Sequence, residues 1–191
     1  MGDFYAYGVD PALSLQEVVE GYFQPAGAWY DAQANFSEEG PGEGFQYSNM
    51  GVALAAYVVE KVTGQDFAER SHQTLFGPLG LTQTAWRLAS FSDLDVLAMP
   101  YVLEQGQYAP VGHYTFADYP NGGLRASAYD LARFVAAHLQ GGSLDGAQIL
   151  APETVAEIFT EQASRPAGPQ GWMWYQSAWS GENWWGHGGA E

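Results

Sequence analysis

The chain has no cysteine among its 191 residues, which excludes a disulfide framework, a thiolate nucleophile and a cysteine-based zinc site. Basic residues are scarce too: 6 Lys plus Arg stand against 22 Asp plus Glu, a formal charge of −16. Repulsion of that sign opposes binding to nucleic acid or an anionic membrane, so neither is an expected partner. The acids are scattered rather than blocked, as on a well-solvated surface, with adaptation to salt the second explanation. No apolar run approaches the roughly 20 residues of a membrane span. Met1-Gly2-Asp3-Phe4-Tyr5 lacks the basic-then-apolar order of a signal peptide. A Gly-Xaa-Ser-Xaa-Gly elbow is missing, since Ser143 has Gly141 before it but Asp145 after it. So is a phosphate loop ending in Gly-Lys, because the single lysine, Lys61, follows Glu60. His72, His113 and His138 have no zinc-like spacing and read as structural.

What is present is a foldable chain. Apolar residues make up 47% and aromatics 15%, and a chain this long can bury roughly 70% of its unfolded surface. Ser14-Leu15-Gln16-Glu17 has capping-box spacing, and Leu15, Val18, Val19 and Tyr22 share a helical face, which predicts a helix near 14–23. Residues 24–46 are rich in glycine and acid without periodicity and read as a long loop. Residues 50–63 are apolar almost all round until Glu60-Lys61, with Gly64 placed to end the helix, so this helix is expected to be central and buried. Asp66 with Glu69 makes a second capping box for a helix running to Phe76 and stopped by Gly77-Pro78.

Further along, Tyr101-Val102-Leu103 and Tyr108-Ala109-Pro110-Val111 predict a small surface hairpin. A helix after Ser127 places Leu131, Phe134, Val135, His138 and Leu139 on one face and closes at Gly141-Gly142. A shorter helix follows Pro152, with Val155, Ile158 and Phe159 on one side. Beyond Pro166 and Pro169, aromatic runs at 172–179 and 184–187 flank Ser180-Gly181-Glu182-Asn183, which reads as a hairpin. No internal repeat or low-complexity segment is apparent.

Four motifs stand in order along this framework: Pro41-Gly42-Glu43-Gly44-Phe45-Gln46-Tyr47-Ser48-Asn49-Met50-Gly51; Pro78-Leu79-Gly80-Leu81-Thr82-Gln83-Thr84; Gly122-Gly123-Leu124 followed by Asp130-Leu131; and Gly186-His187-Gly188-Gly189. Together they resemble the serine β-lactamase and penicillin-binding-protein-like family, in its class C β-lactamase, D-Ala-D-Ala carboxypeptidase and family VIII esterase branch. The resemblance covers residues 40–191, with the first 39 residues matching in character only. The family's first motif, Ser-Xaa-Xaa-Lys, whose serine is acylated, does not occur, because Val58 stands three residues before Lys61. The fold implied is α+β and β-lactamase/transpeptidase-like but incomplete. Residues 1–171 would form mainly the helical subdomain with long loops and a small hairpin, and 172–191 a C-terminal hairpin belonging to the sheet subdomain.

The same resemblance implies site residues. Tyr47 matches the tyrosine that serves as base and acid; the cation that would favour its phenolate in the family is the missing motif lysine, so a neutral phenol is expected. Asn49 matches the asparagine that hydrogen-bonds the substrate amide, and an amide offers the donor and acceptor this needs. His187 occupies the place of a lysine in many relatives. A histidine is mostly neutral near pH 7 and holds a substrate carboxylate less firmly, which tilts the expected chemistry from penicillins towards esters and D-amino-acid peptides or amides. Ser48, Gly188 and Gly189 are implied at the substrate, the glycines allowing close backbone approach. Each has a plain alternative: Ser48 or Asn49 as a helix cap, Tyr47 packed over the following helix, His187 packed beside Trp184 and Trp185. The resemblance implies no cofactor and no metal.

Two functions follow. In the first, the chain is part of a serine hydrolase whose preceding segment supplies Ser-Xaa-Xaa-Lys, acting on a small-molecule acyl substrate; alone, it is expected to be inactive. In the second it is a non-catalytic binding module that uses Trp172, Trp174, Trp184 and Trp185 as a contact surface, with homo-oligomers forming through an exposed sheet edge. An in-frame Ser-Xaa-Xaa-Lys in the upstream coding sequence separates them. The family is often periplasmic or extracellular, and this chain leaves its own localisation open.

Overall fold

The computed structural model describes residues 4–165 and 168–189. The opening Met1-Gly2-Asp3, Pro166, and Glu191 at the end of the resemblance lie outside the described residues. The chain divides into two compact units, one made of Met1–Ser37, Ser48–His72 and Gln83–Ala126, the other of Glu38–Tyr47, Gln73–Thr82 and Ser127–Glu191. Both mix helices with short antiparallel sheets, an α+β arrangement.

In the first unit, strand β1 (Tyr5–Tyr7) leads to helix α1 (Leu15–Phe23). The expected capping box is formed: the Glu17 amide donates to Ser14 Oγ at 3.2 Å, and the Ser14 amide donates to the Glu17 carboxylate at 2.8 Å. Helix α2 (Asn49–Thr63) ends at Gly64, whose φ of +67° is the left-handed turn that glycine adopts freely. Its amide returns to Glu60 O at 2.8 Å. The expectation of a buried α2 is corrected, since only Ala53 and Ala56 are buried while Val58 and Val62 are 50% and 80% exposed. The two alanines belong to one cluster with Leu15, Val19 and Tyr119. An all-round apolar pattern gives no periodicity to show which side is covered.

Helix α3 (Phe67–Ser71) is capped by Asp66, and the turn His72–Phe76 that continues it is π-helical rather than α. Strands β2 (Tyr101–Glu104) and β3 (Gln107–Pro110) form the surface hairpin, and β4 (Tyr114–Phe116) pairs antiparallel with β1. A second buried cluster joins Phe4, Val18 and Ala117, with Trp29 packed on it. Trp29 belongs to the long loop after α1 and lies so close to Gly21 that a Cβ there would come within 2.5 Å of its ring. The loop is also tied by Asn35, whose amide donates to Tyr22 O and Trp29 O at 3.0 and 2.8 Å.

In the second unit, helix α4 (Ala128–Leu139) starts at Ser127, which accepts the Asp130 amide at 3.1 Å. Its buried residues are Asp130 and Ala137, whereas Leu131, Val135 and Leu139 of the expected apolar face are exposed. Strands β5 (Ser143–Leu144) and β6 (Ala147–Gln148) form a tight turn, and Arg133 ties Leu79 O to the Asp145 carboxylate, each at 2.8 Å. Leu79 is fully buried. Helix α5 (Pro152–Ile158) begins at its proline. Strands β7 (Ala163–Arg165), β8 (Gly168–Gln170), β9 (Tyr175–Trp179) and β10 (Glu182–Gly186) make an antiparallel sheet in the order β10-β9-β8-β7. The C-terminal hairpin is therefore half of a four-stranded sheet. Its turn is Ser180-Gly181, with φ of +52° and +82°, the left-handed pair a two-residue hairpin loop requires.

Candidate functional site

The turn at Ser180-Gly181 sets the register of the last two strands, pairing Glu182 with Trp179 and Gly186 with Tyr175. His187 leaves the end of β10 beside Tyr175, and their rings stack at 4.7 Å between centroids with planes 29° apart. The Tyr47 ring lies 6.2 Å from His187. Residues 140 apart in sequence thus share one small cluster inside the second unit. Tyr47 and His187 are both exposed. His187 Nδ1 sits 2.5 Å from Gly188 O, a contact that needs the ring proton on Nδ1 and leaves Nε2 as the free nitrogen.

Ser48 and Asn49 open α2. Ser48 is its N-cap, with Oγ accepting the Gly51 amide at 3.0 Å, so the capping role is real for this residue. Asn49 is the first helical residue and is exposed. At Gly188 and Gly189 an added Cβ would meet nothing within 4 Å, so the described fold itself does not demand glycine there. Lys61 lies 12 positions beyond Asn49 on the same helix, about 18 Å along the axis. It donates to Gln16 at 3.0 Å and sits over the Tyr57 ring, so it cannot serve as a base for Ser48.

Of the other histidines, His138 has Nδ1 2.9 Å from Phe134 O and its ring against Phe134 and Trp174, a packing role. Among the described residues no group of three or more His, Cys, Asp or Glu could hold a metal ion. Tyr175 was missed in the sequence reading. Counting outward from Ser180-Gly181 as a two-residue turn would have placed it opposite Gly186 and so next to His187. Chemically, a phenol and an imidazole with one free nitrogen can each carry a proton, which suits acid–base work on a bound substrate. The three rings that meet here, Tyr47, Tyr175 and His187, include no serine, threonine or lysine.

An uncharacterized protein of Mycobacterium tuberculosis is 27% identical over 128 residues, covering 64% of this chain and 32% of the relative. Among solved structures, the octameric penicillin-binding protein homologue from Pyrococcus abyssi superposes with a TM-score of 0.67 at 22% identity, over 92% of this chain and 42% of that one. The D-amino acid amidase from Ochrobactrum anthropi gives 0.65 at 18% identity, over 78% and 44%. At such identities the likeness is one of fold, and the chain spans about a third of the curated relative and under half of each solved neighbour. The Beta-lactamase family model matches residues 6–191. The match runs through Tyr47, Asn49 and His187, and the chain belongs to the Beta-lactamase family.

Proposed function

We propose that this chain forms two walls of the active site of a β-lactamase-related serine hydrolase, acting through an acyl-enzyme. The observation that supports it best is the convergence of Tyr47 and His187 from opposite ends of the family match. Tyr47 passes the proton between nucleophile and leaving group, Asn49 hydrogen-bonds the acyl-side amide, and His187 lies along the substrate with Gly188 and Gly189 beside it. Tyr175 keeps the imidazole in place. The substrate is a small acyl compound, an ester or a D-amino-acid amide or peptide ahead of a β-lactam, because an imidazole with one free nitrogen anchors a carboxylate less firmly than an ammonium. The likeness to a D-amino acid amidase agrees with this preference. These 191 residues contain no Ser-Xaa-Xaa-Lys, so the chain alone turns over nothing.

A second reading is a binding module that contacts a partner through its aromatic strands; of the four tryptophans expected there Trp172 and Trp184 are exposed, Trp174 and Trp185 pack on Phe159, and Trp179 adds a third exposed ring. Intact mass spectrometry after incubation with a fluorophosphonate and with a fluorescent penicillin tests the first point, with no adduct expected on the folded chain. A stoichiometric adduct would place a nucleophile within it and overturn the reading. The longer product, carrying an in-frame Ser-Xaa-Xaa-Lys, is then assayed on D-phenylalanine amide. Tyr47→Phe should lower kcat by roughly 10²–10⁴-fold, whereas an upstream sequence without that motif supports the binding module.

A further inference from the structure

The last two strands give their sheet two unlike faces. In an antiparallel pair, residues opposite each other point the same way and successive residues alternate. Trp185, opposite Gln176, turns towards the end of α5 together with Trp174, and the two rings meet Phe159 at 6.0 and 5.5 Å between centroids. The other face carries Tyr175 opposite Gly186, Ser177 opposite Trp184 and Trp179 opposite Glu182. Trp184 and Trp179 are 56% and 73% exposed there, with their rings 6.4 Å apart.

That open face begins at the candidate site. Tyr175 carries the His187 ring at one end, stacked at 4.7 Å. Each same-face pair lies a two-residue step, about 7 Å, further along the strands, so Trp184 follows the Tyr175–Gly186 pair at about 7 Å and Trp179 at about 14 Å. Between the stack and Trp184 the floor is Gly186. Its backbone is not left-handed, and a Cβ there would meet nothing within 4 Å, so the described fold does not require a glycine at this point of the strand, where one costs stability. The register runs unbroken to Gly186, so it is not a bulge either, and the remaining use of a strand glycine is close approach of a ligand.

Polar groups on this face are few. Glu182 lies opposite Trp179 and Ser177 opposite Trp184, so a substrate carboxylate would meet a like charge, while an alkyl or aryl chain would meet two indoles and need no hydrogen bond. Resting on the hydrolase reading of Tyr47 and His187, we propose that Trp184 and Trp179 form the acyl-chain subsite of the same site, reached across Gly186, and that its substrates are uncharged esters or amides of a medium-chain or aryl acid. Trp184, the nearer of the two rings, is the specificity-determining residue.

Octanamide and butanamide, both neutral, are the probes, titrated by NMR into the 191-residue chain. The longer alkyl chain should make octanamide bind about tenfold more tightly, with nuclear Overhauser contacts from its terminal methyl to the Trp184 indole. Trp184→Ala should remove most of that advantage. Gly186→Val should do the same by filling the floor, with the circular dichroism and urea midpoint maintained, because valine suits a strand and its Cβ meets no neighbour. The comparison of the two amides needs no variant and stands if either fails to fold. In the longer product carrying Ser-Xaa-Xaa-Lys, the ratio of kcat/KM for p-nitrophenyl octanoate over p-nitrophenyl butyrate should fall about tenfold in either variant. No turnover of either ester, with octanamide still held on Trp184, would overturn the hydrolase reading and leave the subsite standing. Equal affinity for the two amides, contacts away from Trp184, or an ester ratio unchanged in both variants would overturn the subsite. So would a dimer that Trp184→Ala dissolves, with octanamide unbound, which would give the face to a second copy of the chain.

Discussion

Asp66 holds two jobs that substitution can separate. Its Oδ1 accepts the Glu69 amide at 3.1 Å as the cap of α3, and both oxygens take the Arg87 guanidinium. The side chains are 39% exposed for Arg87 and 31% for Asp66, which places the pair between surface and buried. Exposed pairs are worth about 0–1 kcal/mol and broken buried pairs cost about 3–5. Solvent screening at this exposure argues for about 1–1.5 kcal/mol. Asp66→Asn keeps a good cap and loses only the charge, so it should cost about that amount, and Asp66→Ala loses the cap as well, for about 2–2.5 in total. Burial pushes the Asp66 carboxyl up, but the bonds from Arg87 and the Glu69 amide outweigh this and leave it below its ordinary 3.8. A lowered folded-state pKa means that the stabilisation is complete above the unfolded value and is lost as pH falls through the folded one. The gap between wild type and Asp66→Asn should therefore be full near neutral pH and close below about pH 4. Urea unfolding followed by circular dichroism across that range measures it. Equal stability of the two at neutral pH, or a gap that survives full protonation, would refute the reasoning.

Other expectations are more direct. Leu79→Ala, at a fully buried site in the second unit, should cost about 3 kcal/mol in urea unfolding, and a cost under about 1 would mean that the site collapses without a cavity. Ser48→Ala should lose about 1 kcal/mol with its bond to the Gly51 amide, while Ser48→Asp should retain most of the stability, as read by the same titration. Tyr175→Leu should move the His187 ring protons downfield in the NMR spectrum by removing the stacked ring, and unchanged shifts would speak against the 4.7 Å stack.

Much of the local structure was legible because local chemistry decides it. Ser14 with Glu17 and Gly64 after α2 act within a few residues of themselves and do what their spacing implies, whereas at Asp66 only its own half of the expected box with Glu69 is formed and α3 ends at Ser71 rather than Phe76. The motifs around Tyr47 and His187 were likewise enough to point to the family that the match over 6–191 establishes. The burial pattern was not legible. The Ala53 and Ala56 side of α2 is covered and its Val58 and Val62 side is not, and α4 leaves Leu131, Val135 and Leu139 exposed, because burial depends on what packs against a helix rather than on its own residues.

The site divides the same way. Residue identity by itself determined which groups could handle a proton, and that the acylated serine motif is missing from these residues. Only the tertiary structure brought the Tyr47 ring to His187 across 140 positions and set Tyr175 against the imidazole. Only it packed the Tyr119 ring against Trp86 with the Arg87 guanidinium over it. Capping and turn chemistry are written in adjacent residues, whereas proximity between distant side chains and the satisfaction of buried polar groups are set by how the whole chain packs.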